Sequence, residues 1–157
     1  MGSYKELFNA AKKEMGLADH LLYVTFPLVK ENKFLLAILE HIINSAQKTL
    51  QALIEHEHYY KRVRLCPPNF ALQVSAYREI EKTYALDPIF FRLFKKLLEI
   101  QRFEKDSLVR FKRGDKYILT TGEYNQVTVL DLDNIKKFLN CTKKFVERVE
   151  PIVMKDD

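Results

Sequence analysis

The sequence predicts a mainly α-helical protein: a four- or five-helix bundle with a small antiparallel β-hairpin or meander at about residues 108–130, before the last helix. Two observations predict this fold class. Apolar residues recur at helical intervals through most of the chain, whereas near residues 108–130 they alternate with polar residues, as in a strand. There is no internal repeat or low-complexity linker, and 157 residues suffice for a core. We therefore expect a single domain spanning residues 1–157.

The first helix is predicted from a capping signal followed by an amphipathic pattern. Ser3 and Glu6 have the spacing of a capping box, and apolar positions then recur until Pro27 disrupts the pattern. We expect this helix to run from about Tyr4 to Tyr23 or slightly beyond.

The second helix has the strongest pattern in the chain. One apolar stripe comprises Leu35, Leu39, Ile42, Ala46, Leu50, Leu53 and, at its end, Glu57. With Asn32 as its cap, a helix from Lys33 to Lys61 would be roughly 43 Å long at about 1.5 Å per residue. Such a rod must pack along most of its length against helices of the same chain or of a second copy.

Prolines and caps divide the rest of the chain. Consecutive prolines at 67 and 68 end the second helix, and a short helix is predicted at about Phe70–Tyr84. Asp87 and Pro88 begin a fourth helix that continues to about Phe103. Asp131 is the expected cap of the last helix, and the buried stripe of this helix lies before Pro151. Its buried stripe is Ile135, Phe138, Leu139, Thr142, Phe145, Val146 and Val149.

The predicted β region has three short alternating segments. The alternating pairs are Val109 and Phe111, Tyr117 and Leu119, and Val127 and Val129. The segments 113–115 and 122–125, each with one glycine, are the predicted turns.

Composition limits the class of protein. Hydrophobic residues at 47% and charged residues at 30% are typical of a helix-rich, water-soluble globule. The chain starts without the apolar run of a signal peptide and has no segment near the ~20 apolar residues of a membrane span. Cys66 and Cys141 belong to no Cys-x-x-Cys unit, so a disulfide framework is not expected. These features predict a cytoplasmic protein without membrane association.

The sequence contains no recognisable catalytic or cofactor motif. Glu55 and His58 have the Glu-x-x-His spacing of di-iron bundles, but a second such pair is missing, so we interpret residues 55–60 as a solvated helix end with locally paired charges. Cys66 has no neighbouring histidine, and the four glycines form no phosphate-binding loop. We therefore assign no catalytic residue, metal or cofactor, and do not expect an enzyme.

Positive charge is concentrated in one part of the chain. Residues 92–116 contain nine basic residues against four acidic ones, although the whole chain carries only +5. This concentration suggests an anionic partner, although a lysine-rich surface also serves solubility alone. The candidate nucleic-acid-binding residues are Lys61, Arg62, Arg64, Arg92, Lys95, Lys96, Arg102, Arg110, Lys112, Arg113 and Lys116. Tyr59 and Tyr60, next to the first three, could stack on bases.

The order of amphipathic helices, with the segment from Asn44 to Leu53, resembles the HEPN helical bundles over the first two helices. Many HEPN proteins act on or bind RNA and nucleotides. Catalytic members have an arginine followed four to six residues later by a histidine. Here the last histidine, His58, precedes the first arginine, Arg62, so the resemblance implies a non-catalytic member. The lysine-, glutamate- and isoleucine-rich composition would suit an archaeal protein.

Two functions therefore remain in view, while a third, an enzyme with an unrecognised site, would need a pocket lined with convergent polar groups. The first is a non-enzymatic accessory protein that binds RNA, or less favourably DNA, through phosphate contacts from the fourth helix and the basic hairpin. The alternative is a homo-oligomeric or protein-binding adaptor, in which the long second helix presents excess apolar side chains such as Phe34 or Ile43 to a partner.

Overall fold

The computed structural model describes residues 3–31, 33–106, 109–113, 116–120 and 127–155, with side chains for residues 3–31, 34–102 and 131–155. Its elements are α1 (Ser3–His20), a π-helical segment (Leu21–Thr25), α2 (Phe26–Val29), α3 (Lys33–Tyr59), α4 (Phe70–Tyr84), α5 (Ile89–Asp106), β1 (Val109–Arg113), β2 (Lys116–Thr120), β3 (Val127–Leu130) and α6 (Leu132–Val153).

The predicted helical bundle is confirmed. The long helix α3 packs most extensively against α1 and next against α6, while α4 and α5 pair with each other and close the bundle. Small residues let α1 and α3 approach closely, since Ala11 and Ala46 are fully buried. The hydroxyl of Ser45 donates a hydrogen bond to the carbonyl of Ala11 at 2.8 Å, which satisfies this polar group inside the interface.

The apolar stripe predicted for α3 is confirmed, since every one of its positions is buried, including Glu57. The helix ends at Tyr59, two residues before the predicted end. Lys61 has a left-handed backbone with φ of 62°, and the amide of Arg62 donates to the carbonyl of Glu57 at 2.8 Å. This is the Schellman arrangement that terminates helices.

The apolar side chains of α3 that the sequence predicts to face a partner pack largely within the chain. Ile43 is only 3% exposed and Phe34 is partly buried. The expectation that Ile43 is available to a second copy is therefore wrong, because α1 and α6 already cover this helix.

Side-chain caps set the starts of α4 and α5. Asn69 accepts a hydrogen bond from the amide of Leu72 at 2.9 Å, and Asp87 accepts one from the amide of Ile89 at 3.0 Å. The bounds of α4 match the prediction, whereas α5 continues to Asp106, about one turn beyond the predicted end.

An aromatic cluster joins α4, α5 and α6. The ring of Phe94 lies 5.0 Å from Tyr77 and 4.8 Å from Phe145, in both cases edge to face. Phe90 packs on Phe145 from the same helix as Phe94, at 5.1 Å. These rings belong to the same hydrophobic core as the α1–α3 interface.

Two prolines lie within helical segments. Before Pro27 the helix widens, and the amide of Phe26 donates to the carbonyl of Leu21, five residues earlier. Pro27 then lies in the first turn of α2, where its missing amide is tolerated. Pro151 lies inside α6, which continues to Val153 because that residue is fully buried.

The three strands form an antiparallel sheet in the order β1-β2-β3. Arg113 pairs with Lys116 at one end of the β1–β2 ladder, and Thr120 pairs with Val127 in the β2–β3 ladder. The predicted turn residues 114–115 and 122–125, like the predicted cap Asn32, lie outside the described residues.

Candidate functional site

The four predicted cations of α5 lie on its exposed face. The opposite face buries Leu93, Leu97 and Ile100, as the helical spacing predicts. Lys96 approaches the carboxylate of Glu99 at 3.7 Å, with both side chains nearly half exposed. The exposed cations are Arg92, Lys95, Lys96 and Arg102, and we call them the α5 basic face.

An arginine of α4 extends this face beyond the residues that the sequence indicated. The guanidinium of Arg78 lies 4.1 Å from the ring centroid of Phe91, and the ammonium of Lys95 lies 5.6 Å from the same ring. Two cations therefore flank one partly buried aromatic ring at the α4–α5 surface. No sequence spacing indicates Arg78, because its link to α5 crosses between helices.

The predicted cations of the β region are known only by their backbone positions. Arg110, Lys112 and Arg113 belong to β1, and Lys116 begins β2. Since β2 contacts α5, these positions adjoin the helix that carries the α5 basic face. Their side chains lie outside the described part of the structure.

The three cations between α3 and α4 are not equivalent. Lys61 and Arg64 are exposed. Arg62 instead donates from Nη1 to Glu57 Oε2 at 2.9 Å and to the hydroxyl of Tyr84 at 3.2 Å. Its pKa is raised by the hydrogen bond and the charge of Glu57. Arg62 is thus held against Glu57 and Tyr84, although its side chain is 51% exposed, and its nucleic-acid contact stays a prediction.

The interpretation of residues 55–60 as a solvated helix end is wrong for His56 and Glu57. Glu57 is 1% exposed and His56 is 7% exposed. The Oε2 atom of Glu57 accepts hydrogen bonds from His56 Nδ1, Arg62 Nη1 and the Tyr84 hydroxyl, each at 2.9 Å. We call these four residues the Glu57 cluster. Burial, and to a lesser extent the hydrogen bond to Glu57, raises the pKa of Tyr84 to about 12.

Aromatic rings pack around the Glu57 cluster. Tyr4 meets His56 edge to face at 5.2 Å, and Tyr60 lies 4.8 Å from the same imidazole. Tyr59 is 46% exposed and packs edge-on against Tyr60. The ring of Tyr60 is therefore part of the fold, and Tyr59 is the more accessible of the two tyrosines predicted to stack on bases.

A pocket of about 370 Å³ opens beside the Glu57 cluster. His56, Tyr60, Arg62 and Tyr84 line one side, and Pro151 and Lys155 from the end of α6 line the other. The sequence gives no sign of this pocket, because one side comes from residues 56–84 and the other from residues 151–155, which meet only through packing of α6 against α3.

Other titratable groups lie in structural contacts. His41 bonds to Glu14 through Nδ1 at 2.6 Å, and Lys48 lies 3.6 Å from the same carboxylate, linking α3 to α1. Both cysteines are free thiols, and burial raises the pKa of Cys66 to about 11, which makes its thiolate scarce at neutral pH. Within the described ranges, no three metal-binding side chains converge.

Comparisons of this chain with protein-family models, curated proteins and solved structures find no match. The resemblance to HEPN bundles therefore stays a prediction. None of the described helices combines the length and apolar character that a membrane crossing requires.

Proposed function

We propose that this protein binds nucleic acid, RNA in preference to DNA, through the α5 basic face and without a catalytic role. The observation that supports the proposal is the exposure of four cations on one face of α5, where Glu99 is the one acidic residue among the side chains described up to residue 102. Such a face suits contacts with successive phosphates, which need positive charge rather than base-specific geometry.

The surface next to α5 favours a single strand. Phe91, flanked by Arg78 and Lys95, combines an aromatic ring with two cations. Single-stranded nucleic acids bind surfaces of this composition by stacking and phosphate contact. We propose that the basic positions of β1 and β2 extend the same surface, since β2 adjoins α5.

The proposal is tested by fluorescence anisotropy with labelled single- and double-stranded RNA and DNA over a salt series. Wild-type protein should bind single-stranded RNA with a log–log salt slope of about −2 to −3, as expected for three to four phosphate contacts at about −0.7 each. The variant Arg92→Glu/Lys95→Glu/Arg102→Glu should lose at least about tenfold in affinity and show a shallower slope.

The matched control is Lys13→Glu/Lys137→Glu/Lys144→Glu, which makes the same change in net charge at exposed positions of α1 and α6. Equal loss in both variants would show that net charge, and not the α5 basic face, controls binding. A second variant with Arg110, Lys112, Arg113 and Lys116 changed to glutamate tests the β region, and unchanged affinity would remove it from the proposal.

A different surface supports the alternative of a protein partner or a second copy. Leu17, Val24 and Leu28 are 50%, 48% and 82% exposed along α1 and the turn into α2. This exposed apolar surface replaces α3 as the candidate interface. Sedimentation of wild-type protein and of Leu17→Ser/Leu28→Ser over a concentration series tests it. Self-association that the double variant abolishes would support the adaptor function, and a monomer at all concentrations would exclude the homo-oligomer.

A further inference from the structure

We infer that the pocket beside the Glu57 cluster binds a small anion with a planar ring, an aromatic phosphate monoester being the best fit to its walls. This site is separate from the α5 basic face, and no residue of that face lines it. The inference follows from the state of Arg62, the charge of the walls and the shape of the pocket.

Arg62 is held in place by one nitrogen and is half exposed. Nη1 makes both hydrogen bonds, to Glu57 and to Tyr84, while the side chain is 51% exposed. A guanidinium has five N–H groups, so the three on Nη2 and Nε stay available to a ligand. An arginine fixed on the protein in this way binds phosphate or carboxylate with little loss of side-chain entropy.

The balance of charge at the pocket favours an anion. Among the described residues, the buried carboxylate beside the pocket is Glu57, which already accepts three hydrogen bonds and is paired with Arg62. Lys155 adds an exposed ammonium on the opposite wall. A phosphate between Arg62 and Lys155 would therefore meet cations from both sides.

The remaining walls are formed mainly by rings. The rings of Tyr60, Tyr84 and His56 line one side, and Pro151 lines the other. The ring of Tyr60 is stacked under the guanidinium of Arg62, 5.2 Å from its carbon, which fixes both groups. A volume of about 370 Å³ is at the lower end of small-ligand sites and accommodates one ring with one phosphate.

The test is a titration of the ¹⁵N-labelled full chain, followed by amide chemical shifts, with phenyl phosphate, inorganic phosphate and phenol. Phenyl phosphate should cause saturable shifts around residues 56–62 and 151–155, with a Kd of about 1 mM or below. Inorganic phosphate should bind more weakly at the same residues, and phenol should give no saturable shift.

Variants locate the ligand. Arg62→Gln and Lys155→Gln should each weaken phenyl phosphate binding at least about fivefold, whereas Arg64→Gln, an exposed arginine two residues from Arg62, should bind as wild type. Lys155→Gln keeps the test informative if Arg62→Gln unfolds, because Lys155 is exposed and lies past the end of α6. Equal affinity in wild type and Lys155→Gln, equal binding of phenol, or no saturable shift at about 10 mM would each overturn the inference.

Discussion

At the scale of single residues, Glu57 is the most consequential side chain outside the apolar core. A buried carboxylate is tolerated only when its oxygens receive hydrogen bonds, and Glu57 Oε2 receives three, from α3 itself, from the loop after α3 and from α4. This one atom therefore fixes where α4 lies relative to the end of α3.

Removal of one donor should reveal the strength of the Glu57 cluster. We expect Tyr84→Phe to lower the free energy of unfolding by about 1 to 2 kcal/mol, since it deletes a hydrogen bond to a carboxylate that is 1% exposed. Glu57→Gln, which keeps the shape but not the charge, should cost about 2 to 3 kcal/mol. Urea denaturation measures both.

Tyr23→Phe is the matched control for Tyr84→Phe, since Tyr23 is 46% exposed. This substitution should change the free energy of unfolding by less than about 0.5 kcal/mol. Equal stability of Tyr84→Phe and wild type would mean that water replaces the tyrosine hydroxyl and that the cluster does not position α4.

The sequence could indicate the burial of Glu57 but not its partners. Its place on the apolar stripe of α3 follows from helical spacing. Tyr84, 27 residues away, joins the cluster only because α4 folds back on α3. The same limit applies to Arg62, since helical period does not show that an arginine beyond a helix end turns back to a buried acid.

At the scale of elements, α3 and α4 both end with a residue other than glycine in the left-handed conformation. Lys61 has φ of 62° and Ala85 has φ of 51°. After α4, the amide of Leu86 donates to the backbone carbonyl of Glu81 at 3.0 Å, and the amide of Ala85 donates to the backbone carbonyl of Lys82 at 3.4 Å. This is the pattern of a Schellman motif. The hydrogen bonds of the motif thus outweigh the steric cost that a Cβ brings to this backbone conformation.

Glycine at such a position should stabilise the protein. We expect Ala85→Gly to raise the free energy of unfolding by about 0.5 to 1 kcal/mol, because relief of the left-handed strain exceeds the added entropy of the unfolded chain. Ala76→Gly, inside the same helix, should lower it by about 1 kcal/mol or more. Urea denaturation of the two variants should give opposite signs, and a loss of stability in both would mean that residue 85 carries no strain.

Element bounds were predictable where a local signal acts alone. Asn69, Asp87 and Asp131 cap the helices that follow them, and α4 has its predicted bounds. The chain stays helical at two prolines, at Pro27, where the sequence predicts a disruption of the pattern, and at Pro151. There the packing of Leu22 and Val153, both buried, keeps the chain helical despite the lost hydrogen bonds.

At the scale of the whole molecule, two kinds of packing hold the bundle together. Small residues and a hydrogen bond between Glu14 and His41 join α1 to α3, while aromatic rings join α4, α5 and α6. The helix order predicted from the sequence is therefore right, but the pairing of helices depends on contacts between distant residues. The pocket and the flanking of Phe91 are consequences of that pairing, so no local pattern could indicate them.

The stability of the whole bundle should fall at both ends of the pH range. Burial and the hydrogen bond to Glu57 raise the pKa of Tyr84 from 10.0 to about 12. The contribution of Tyr84 to stability is therefore full below about pH 10 and is lost as the pH rises toward 12. Burial, and to a lesser extent the charge of Glu55, raises the pKa of Cys66 from 9.0 to about 11, so its contribution to stability is also lost as the pH rises.

At the acid end, burial alone would raise the pKa of Glu14, but the hydrogen bond and charge of His41, with Lys48, lower it on balance. The contribution of Glu14 to stability is therefore full above about pH 4.5 and is lost as the pH falls below that value.

Urea denaturation over this pH range separates the two limbs. Tyr84→Phe should make the alkaline loss shallower and leave the acid limb unchanged, because phenylalanine does not titrate. Glu14→Gln should do the reverse, since it removes the carboxylate that binds His41 and Lys48. An alkaline limb as steep in Tyr84→Phe as in wild type would show that the tyrosine hydroxyl titrates alike in the folded and unfolded chain. Its hydrogen bond to Glu57 would then contribute nothing to the closure of α4 on α3.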